Sequence, residues 1–333
     1  MASVVLRFDL RNIPGGPTPT AELYRACLEQ CEWGDSSGVD WVVISEHHGA
    51  ADGFLPAPLT LAGAISARTK RILIVIAALL APLNDPVRVA EELVVLDLLS
   101  SGRVSVVLGA GYRPEEFEMY GVDRSERGPL VEEFARALLD AWSGEPFSWR
   151  GRDVVVTPRP CTQPHPSVLI GGSSPAAARR AARLRLGFFP AVNDPALVDV
   201  YEHLSREIGF EGGFVRLPGG PGFVHVTRDP ERDWNRLGPY VLHDAATYDS
   251  WQTPDVRSAV HVSSSSSLDA VKESGVYRIV TPEGCLELAE ELGEAGSIQL
   301  HPLLSGMPPE MGWESLRLFQ EEVLPHLKRR GGA

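Results

Sequence analysis

The stretch ISEHHGAADGF at 44–54 sets a carboxylate and two imidazoles side by side, Glu46, His47 and His48, directly behind the apolar run VDWVVIS. An imidazole changes charge near neutral pH, and a neighbouring carboxylate decides which ring nitrogen carries the hydrogen. Successive residues of an extended chain point to opposite sides, so at least one ring faces the mouth of whatever the strand builds. The plainer reading is a hydrogen-bonded plug at a strand end.

Two further stretches suit a bound ligand. IGGSSPAAARRAA (170–182) ends a strand in Gly171-Gly172, offers Ser173 or Ser174 as a helix cap and places Pro175 in the first helical turn. Bare backbone, N–H groups and hydroxyls at a helix N-terminus make an anion cradle; the alternative is an ordinary capped turn. In LGAGYRPEEFEMYG (108–121), Gly109 and Gly111 let a flat ligand approach the backbone, and Tyr112 offers a ring or a hydroxyl. Tyr248 and Trp251 are candidates for substrate contact or for plain packing. The four cysteines (Cys27, Cys31, Cys161, Cys285) show no metal spacing, and Cys27 and Cys31 read as neutral thiols on one helix face.

The elements that must position these groups alternate along the chain. Apolar strands are expected at 4–10, 39–45, 71–79, 103–111, 167–172, 186–191, 222–227 and 297–303, each followed by a helical pattern. Eight such pairs predict parallel strands covered by helices, and eight is the number that closes a (β/α)8 TIM barrel. A doubly wound sheet would show a GxGxxG after its first strand, and RFDLRNIPGG has none. In a barrel, Asp9–Arg11, Glu46–His48, Ala77–Leu80, Gly109–Tyr112, Gly171–Ser174, His225 and His301 all fall on the C-terminal rim, where chemistry sits.

One domain is expected over 1–333, with two insertions. Residues 145–166 read as a short β excursion before the fifth strand, and 238–280, after the seventh, as a lid or linker containing SSSSS at 263–267. The helix at 86–100, PVRVAEELVVLDLLS, is apolar around more than one stripe and predicts a homodimer through it and its neighbour at 57–69. The formal charge of −13 (31 basic, 44 acidic) argues against nucleic acid or an anionic membrane as partner. Arg7 and Asp9 interrupt the early apolar stretch, and the longest apolar run is too short for a bilayer. A cytoplasmic protein is expected.

These stretches, with NDPVRVAEELVVLDLLSSGRVSVVLGAGYRPEEFEMYGVD (84–123), resemble the bacterial luciferase-like flavin-dependent oxidoreductases. The likeness runs from the first strand to ESLRLFQEEVLPHLK (314–328). It is carried by the EHH strand end, the A-E-x-x-x-x-L-D-x-L-S-x-G-R segment at 90–103 and the G-G-S-S-P turn. The resemblance implies a dimeric TIM barrel that binds reduced FMN or the 8-hydroxy-5-deazaflavin coenzyme at its rim. It implies catalytic roles for His47 and its neighbours His48 and Glu46, and a phosphate-binding turn at Gly171, Gly172, Ser173 and Ser174. It also implies a non-prolyl cis peptide at Ala77 and Ala78 behind the flavin ring. Where luciferases place an arginine after the fourth strand, this chain has Ala110, with Arg113 three residues on.

The preferred expectation is a monooxygenase that takes reduced FMN from a separate flavin reductase and uses O2 on a small organic substrate. His47 would manage the proton, and the 238–280 segment would exclude water. With a deazaflavin, the same fold would transfer hydride instead. Two other readings are a flavin-binding protein without turnover and a metal-dependent hydrolase using Glu46, His48, His225 and His301. RFDLR lacks the His-x-His pair that such hydrolases bring on their first strand.

Overall fold

The structure is a computed structural model and describes residues 2–252, 256–262 and 267–329. Of the serine run at 263–267, only Ser267 lies within them. In chain order the elements are β1 (Ser3–Phe8), α1 (Thr20–Ser37), β2 (Trp41–Ile44), α2 (Pro58–Arg68), β3 (Leu73–Leu80), α3 (Pro86–Ser100), β4 (Val104–Gly109), α4 (Pro114–Tyr120) and α5 (Arg127–Trp142). Then come β5 (Phe147–Trp149), β6 (Arg152–Val154), β7 (Ser167–Gly172), α6 (Pro175–Arg183), β8 (Gly187–Pro190), α7 (Pro195–Glu207) and β9 (Phe223–Val226). The last are α8 (Pro230–Ser250), α9 (Leu268–Glu273), β10 (Tyr277–Val280), α10 (Pro282–Leu292), β11 (Ser297–Leu300), α11 (Pro309–Leu318) and α12 (Leu324–Arg329).

A repeated local device starts the helices. Proline occupies the first helical position of α3, α6, α7, α8 and α10, and the residue before it accepts a backbone N–H: Asp85, Ser174, Asp194, Asp229 and Thr281. The cap satisfies a donor that the first turn leaves orphaned, and proline has no N–H to satisfy and a preset φ. These steps fix where each strand-to-helix loop ends.

The chain forms two compact units. The first comprises residues up to Val43, Ala50–Leu55 and those from Pro218 onward. Its strands lie in the order β10-β9-β11-β1-β2, and β10–β9, β9–β11 and β11–β1 pair in parallel. Phe223, Trp234, Leu237, Val241, Tyr277 and Ile279 belong to its core. The second unit comprises Ile44–Gly49 and Pro56–Leu217, with parallel strands in the order β3-β4-β7-β8 and the antiparallel β5–β6 hairpin. Ile74, Ile76, Val106, Leu108 and Ile170 are buried along its strands.

The hairpin is the β excursion expected at 145–166. The expected 238–280 insertion has more regular structure than a loop, since its described part contains the end of α8, α9 and β10. Among the described residues, β10 is one parallel strand beyond the eight expected, paired with β9. YRIV is only four residues long and carries Arg278, so its apolar signal is weak. Among the described residues, no helix is long and apolar enough to cross a membrane.

Candidate active site

The second unit gathers most of the nominated residues. β2 ends at Ile44, and the chain continues through Glu46, His47 and His48, all buried. His47 and His48 are each held by a different carboxylate. His48 Nε2 lies 3.0 Å from Glu46 Oε1, and the other Glu46 oxygen accepts the backbone N–H of Leu80 at the end of β3. Asn84 Nδ2 donates to Glu46 at 3.4 Å and to the Leu80 carbonyl at 3.0 Å. Glu46 thus ties the end of one strand to the loop after another.

His47 is held by a carboxylate from another element. Its Nδ1 lies 2.8 Å from Oε1 of Glu116, a wholly buried residue of α4. The same oxygen accepts the backbone N–H of His48 at 2.9 Å and Arg113 Nη1 at 3.3 Å. Arg113 Nη1 also donates to the His48 carbonyl at 2.9 Å. Burial alone would raise the Glu116 carboxyl, but the hydrogen bond and charge of His47, the His48 N–H and Arg113 carry it below the usual carboxylate range. Tyr112 and Tyr120 complete the arrangement, with hydroxyls 3.3 Å from His47 Nε2 and 3.0 Å from His48 Nδ1.

Beside this polar group the backbone is bare. The Ala77–Ala78 peptide is cis, as the resemblance implied, and both residues are half-buried between buried neighbours. β4 pairs with β3 in parallel, the register shifting by one residue between Ala77 and Leu79 so that Leu80 lies opposite Gly109. A Cβ on Gly109 would stand 2.8 Å from the Ala78 methyl, and one on Gly171 2.9 Å from Val107. Gly172, at φ +142°, would drive a Cβ to 2.7 Å from Ala177. Gly111, at φ +72°, has the Phe117 ring 3.1 Å from its Cβ position. Each position needs glycine because backbone and neighbour meet directly. Ser174 Oγ caps α6 through Ala177 N, and the Gly172 carbonyl accepts the Ala191 N–H at 3.1 Å, so the nominated phosphate turn is held at both of these residues. These residues fit a flat heterocycle with an anionic tail: the half-buried Ala77, Ala78, Ala110 and Gly111 present little beyond backbone, and α6 begins beside the turn.

Arg113, the nearest replacement for the arginine missing at position 110, is committed to the histidine pair. Glu116 and Tyr120 were not singled out from the sequence. Glu116 stands in PEEFEMY, where a glutamate reads as part of a solvated helix face. Its offset of three from Arg113, itself rim-adjacent, is the one signal that could have found it.

The remaining nominated residues lie in the first unit. Tyr248 and Trp251, at the end of α8, pack around a buried charge cluster after β1. Arg11 is fully buried; its Nε donates to Asp9 at 3.0 Å, and its Nη2 is ion-paired with Asp9 at 3.0 Å and with Asp244 at 2.9 Å. The rings of Tyr248 and Phe54 lie 4.5 and 4.9 Å from its guanidinium carbon, with Trp251 at 5.8 Å. The Tyr248 hydroxyl accepts from Arg7 Nη2 at 2.7 Å. Burial raises the Asp9 carboxyl, yet the charges of Arg11, His301 and Arg7 overcome this and hold it far below the ordinary range. Tyr248 is therefore a packing and hydrogen-bonding member of this cluster, and Trp251 is half-buried at its edge. Among the described residues, no group of three His, Cys, Asp or Glu side chains is arranged to hold a metal ion.

Comparison with known proteins decides the family. The profile described as luciferase-like monooxygenase matches residues 5–297. The chain belongs to the luciferase-like monooxygenase family. The FMNH2-dependent dimethylsulfone monooxygenase of Pseudomonas putida is 32% identical over 183 residues, 53% of this chain and 50% of that protein. The chain spans about half the length of the curated relatives it matches. Among solved structures, the monooxygenase RslO1 from Streptomyces bottropensis superposes with a TM-score of 0.79 at 24% identity, covering 98% of this chain and all of that one. An F420-dependent secondary alcohol dehydrogenase in complex with an F420-acetone adduct gives 0.66 at 18% identity, covering 97% and 98%. These likenesses show the fold: the α/β barrel that the strand count predicted, in the luciferase-like form that the resemblance implied.

Proposed function

We propose that this luciferase-like chain is a cytoplasmic flavin-dependent monooxygenase, one barrel domain that uses reduced FMN and O2 to oxygenate a small organic substrate. The reduced flavin would come from a separate flavin reductase. The observation that carries this reading is the buried His47–Glu116 pair beside the bare backbone of Ala77–Ala78 and Gly109–Gly111. Ala77, Ala78, Gly109, Gly111 and Tyr112 would hold the ring system, and Gly171–Ser174 its phosphate. Bound reduced FMN supplies the electrons for activating O2. The protein's own contribution is proton handling. With Nδ1–H on Glu116, His47 Nε2 can take a proton, and the anionic Glu116 stabilises the resulting imidazolium. Glu46 and His48 keep their neighbour in place through Leu80, Asn84 and Tyr120. The FMNH2 dependence named for the Pseudomonas relative supports the choice of cofactor.

A second reading, deazaflavin-dependent hydride transfer, is favoured by the F420-dependent neighbour and by Arg113 being engaged with His48 and Glu116. Anaerobic titration of the protein with reduced FMN and with reduced deazaflavin, followed by admission of air and a panel of aldehydes, ketones and alkanes, separates the readings. Reduced FMN should bind, and O2 should be consumed with oxygenated product. Tight deazaflavin binding without FMN binding would overturn the monooxygenase, and binding without consumption would favour a silent flavin carrier.

We also infer a homodimer through α2 and α3. Val95, Leu98 and Leu99 stand 47%, 44% and 58% exposed on α3, beside a groove of about 500 Å³ lined by Leu59, Gly63, Arg88 and Leu96. Adjacent exposed apolar residues of this size suit a partner surface.

A further inference from the structure

The adjacent histidines each sit between a carboxylate and a phenol, but use their ring nitrogens in opposite senses. His47 presents Nδ1 to Glu116 and Nε2 to Tyr112, whose ring meets it edge-on at a centroid distance of 5.4 Å. His48 presents Nε2 to Glu46 and Nδ1 to Tyr120, centroids 4.8 Å apart. A carboxylate only accepts, so the nitrogen facing it carries the hydrogen. Neutral His47 is therefore the Nδ1–H tautomer and neutral His48 the Nε2–H tautomer, and each remaining lone pair meets a tyrosine hydroxyl.

The two phenols differ in setting. Tyr120 is 43% exposed on α4, and its histidine is shut in behind Glu46, Leu80 and Asn84. Tyr112 is half-buried and directly follows Ala110–Gly111, and Arg124 Nε fixes its backbone by donating to the Tyr112 carbonyl at 3.0 Å. The charged and titratable groups around His47 include Glu116 and Tyr112, both in direct contact, with the His48 backbone N–H and Arg113 sharing the same Glu116 oxygen.

We propose that Tyr112 is the positioning residue for His47: its hydroxyl holds the Nε2 lone pair of the neutral imidazole and yields that lone pair to a ligand proton. This rests on His47 being the acid–base group of the proposed function. In the transfer, the ligand's bond to hydrogen breaks and an Nε2–H bond forms. The imidazolium charge is met by Glu116, and Tyr112 changes from donor to acceptor. Tyr120 plays the same part for His48, away from the bare backbone, so His48 is the internal control.

The test is a ring ¹⁵N and ¹H titration of all nine imidazoles in the full-length, cofactor-free protein, for wild type, Tyr112→Phe and Tyr120→Phe. Wild type should show His47 protonated at Nδ1 and His48 at Nε2. Removing a donor that stabilises the neutral ring should raise the His47 midpoint in Tyr112→Phe by roughly 0.5–1 pH unit, leaving His48 unmoved; Tyr120→Phe should do the reverse. An unmoved or lowered His47 midpoint, or a wild-type His47 protonated at Nε2, overturns the proposal. The wild-type tautomers are read without any substitution, so a misfolded variant does not protect it. Flavin titration of the wild type is a separate measurement: failure to bind sinks the cofactor reading, and failure of the histidine spectra sinks only the role of Tyr112.

Discussion

Replacing Glu116 by glutamine keeps the shape of the side chain and removes its charge. In the wild type one oxygen accepts from His47 at 2.8 Å, His48 N at 2.9 Å and Arg113 at 3.3 Å, all buried. Hydrogen bonds to a charged partner are worth about 1.5–3 kcal/mol and neutral ones about 0.5–1.5 kcal/mol. The carboxamide oxygen can still accept from His47 and His48, but the positive Arg113 loses its anion. A loss of about 1–3 kcal/mol in folding stability at neutral pH follows. The activity lost is that of an imidazole without its counter-charge, about 10²-fold in kcat, the lower end of what general acid–base catalysis contributes.

The pH dependence makes this test specific. Glu116 titrates lower in the folded protein than the ordinary 4.5 of an unfolded glutamate. A depressed carboxyl contributes stability that is fully present above its unfolded value and is lost as pH falls through its folded value. Urea unfolding of the two proteins should therefore differ most above about pH 5 and converge on acidification below pH 4.5. A deficit of the same size at both ends would mean that glutamine only disturbs packing, and would refute the assignment of Glu116 as an anionic partner of His47.

Other substitutions probe the supports. Gly109→Ala puts a methyl 2.8 Å from that of Ala78 and should cost about 1–3 kcal/mol in urea unfolding while weakening flavin binding. Asp97 accepts from Cys161 N, Thr162 N and Thr162 Oγ1, bonds that pull its carboxyl down against the raising effect of burial; Asp97→Asn should speed limited proteolysis within 145–166 and destabilise by about 1–3 kcal/mol at pH 7. Leu99→Glu should convert a dimer to a monomer by light scattering at micromolar concentration without altering the far-ultraviolet dichroism of the chain.

The β/α alternation was legible because the strands are near-continuous apolar runs, and the prolines that open the helices marked the loops. β10 escaped because YRIV shows neither a long apolar run nor a clean period. The glycines at 109, 111 and 171–172 were legible as bare backbone, whereas Ala77–Ala78 came only with the family resemblance, and the structure shows what the glycines spare: contacts with Ala78, Phe117, Val107 and Ala177. The partner of His47 was not legible. Glu46 is its neighbour in sequence, yet alternation along the extended chain turns adjacent side chains apart, and Glu46 meets His48, two residues on. For Tyr248 the sequence left substrate contact and plain packing open, and in the structure its ring covers a buried arginine.

The alternation that misdirects the sequence reader also explains the chemistry. Glu46 and His48 share one side of the chain, and there the pair is enclosed, its hydrogen bonds ending on the backbone and side chain of the next loop. His47 takes the other side, and its carboxylate must come from a separate element, because no residue at i±1 can reach it. A carboxylate supplied by α4 carries two anchors with it: Arg113, which grips the His48 carbonyl, and Tyr112 just ahead of the helix. The rigidity of the first histidine's surroundings is thus borrowed from the second. Position 48 matters through its backbone as well as its ring, because its N–H donates to Glu116, which orients His47, and its carbonyl accepts from Arg113, which holds Glu116.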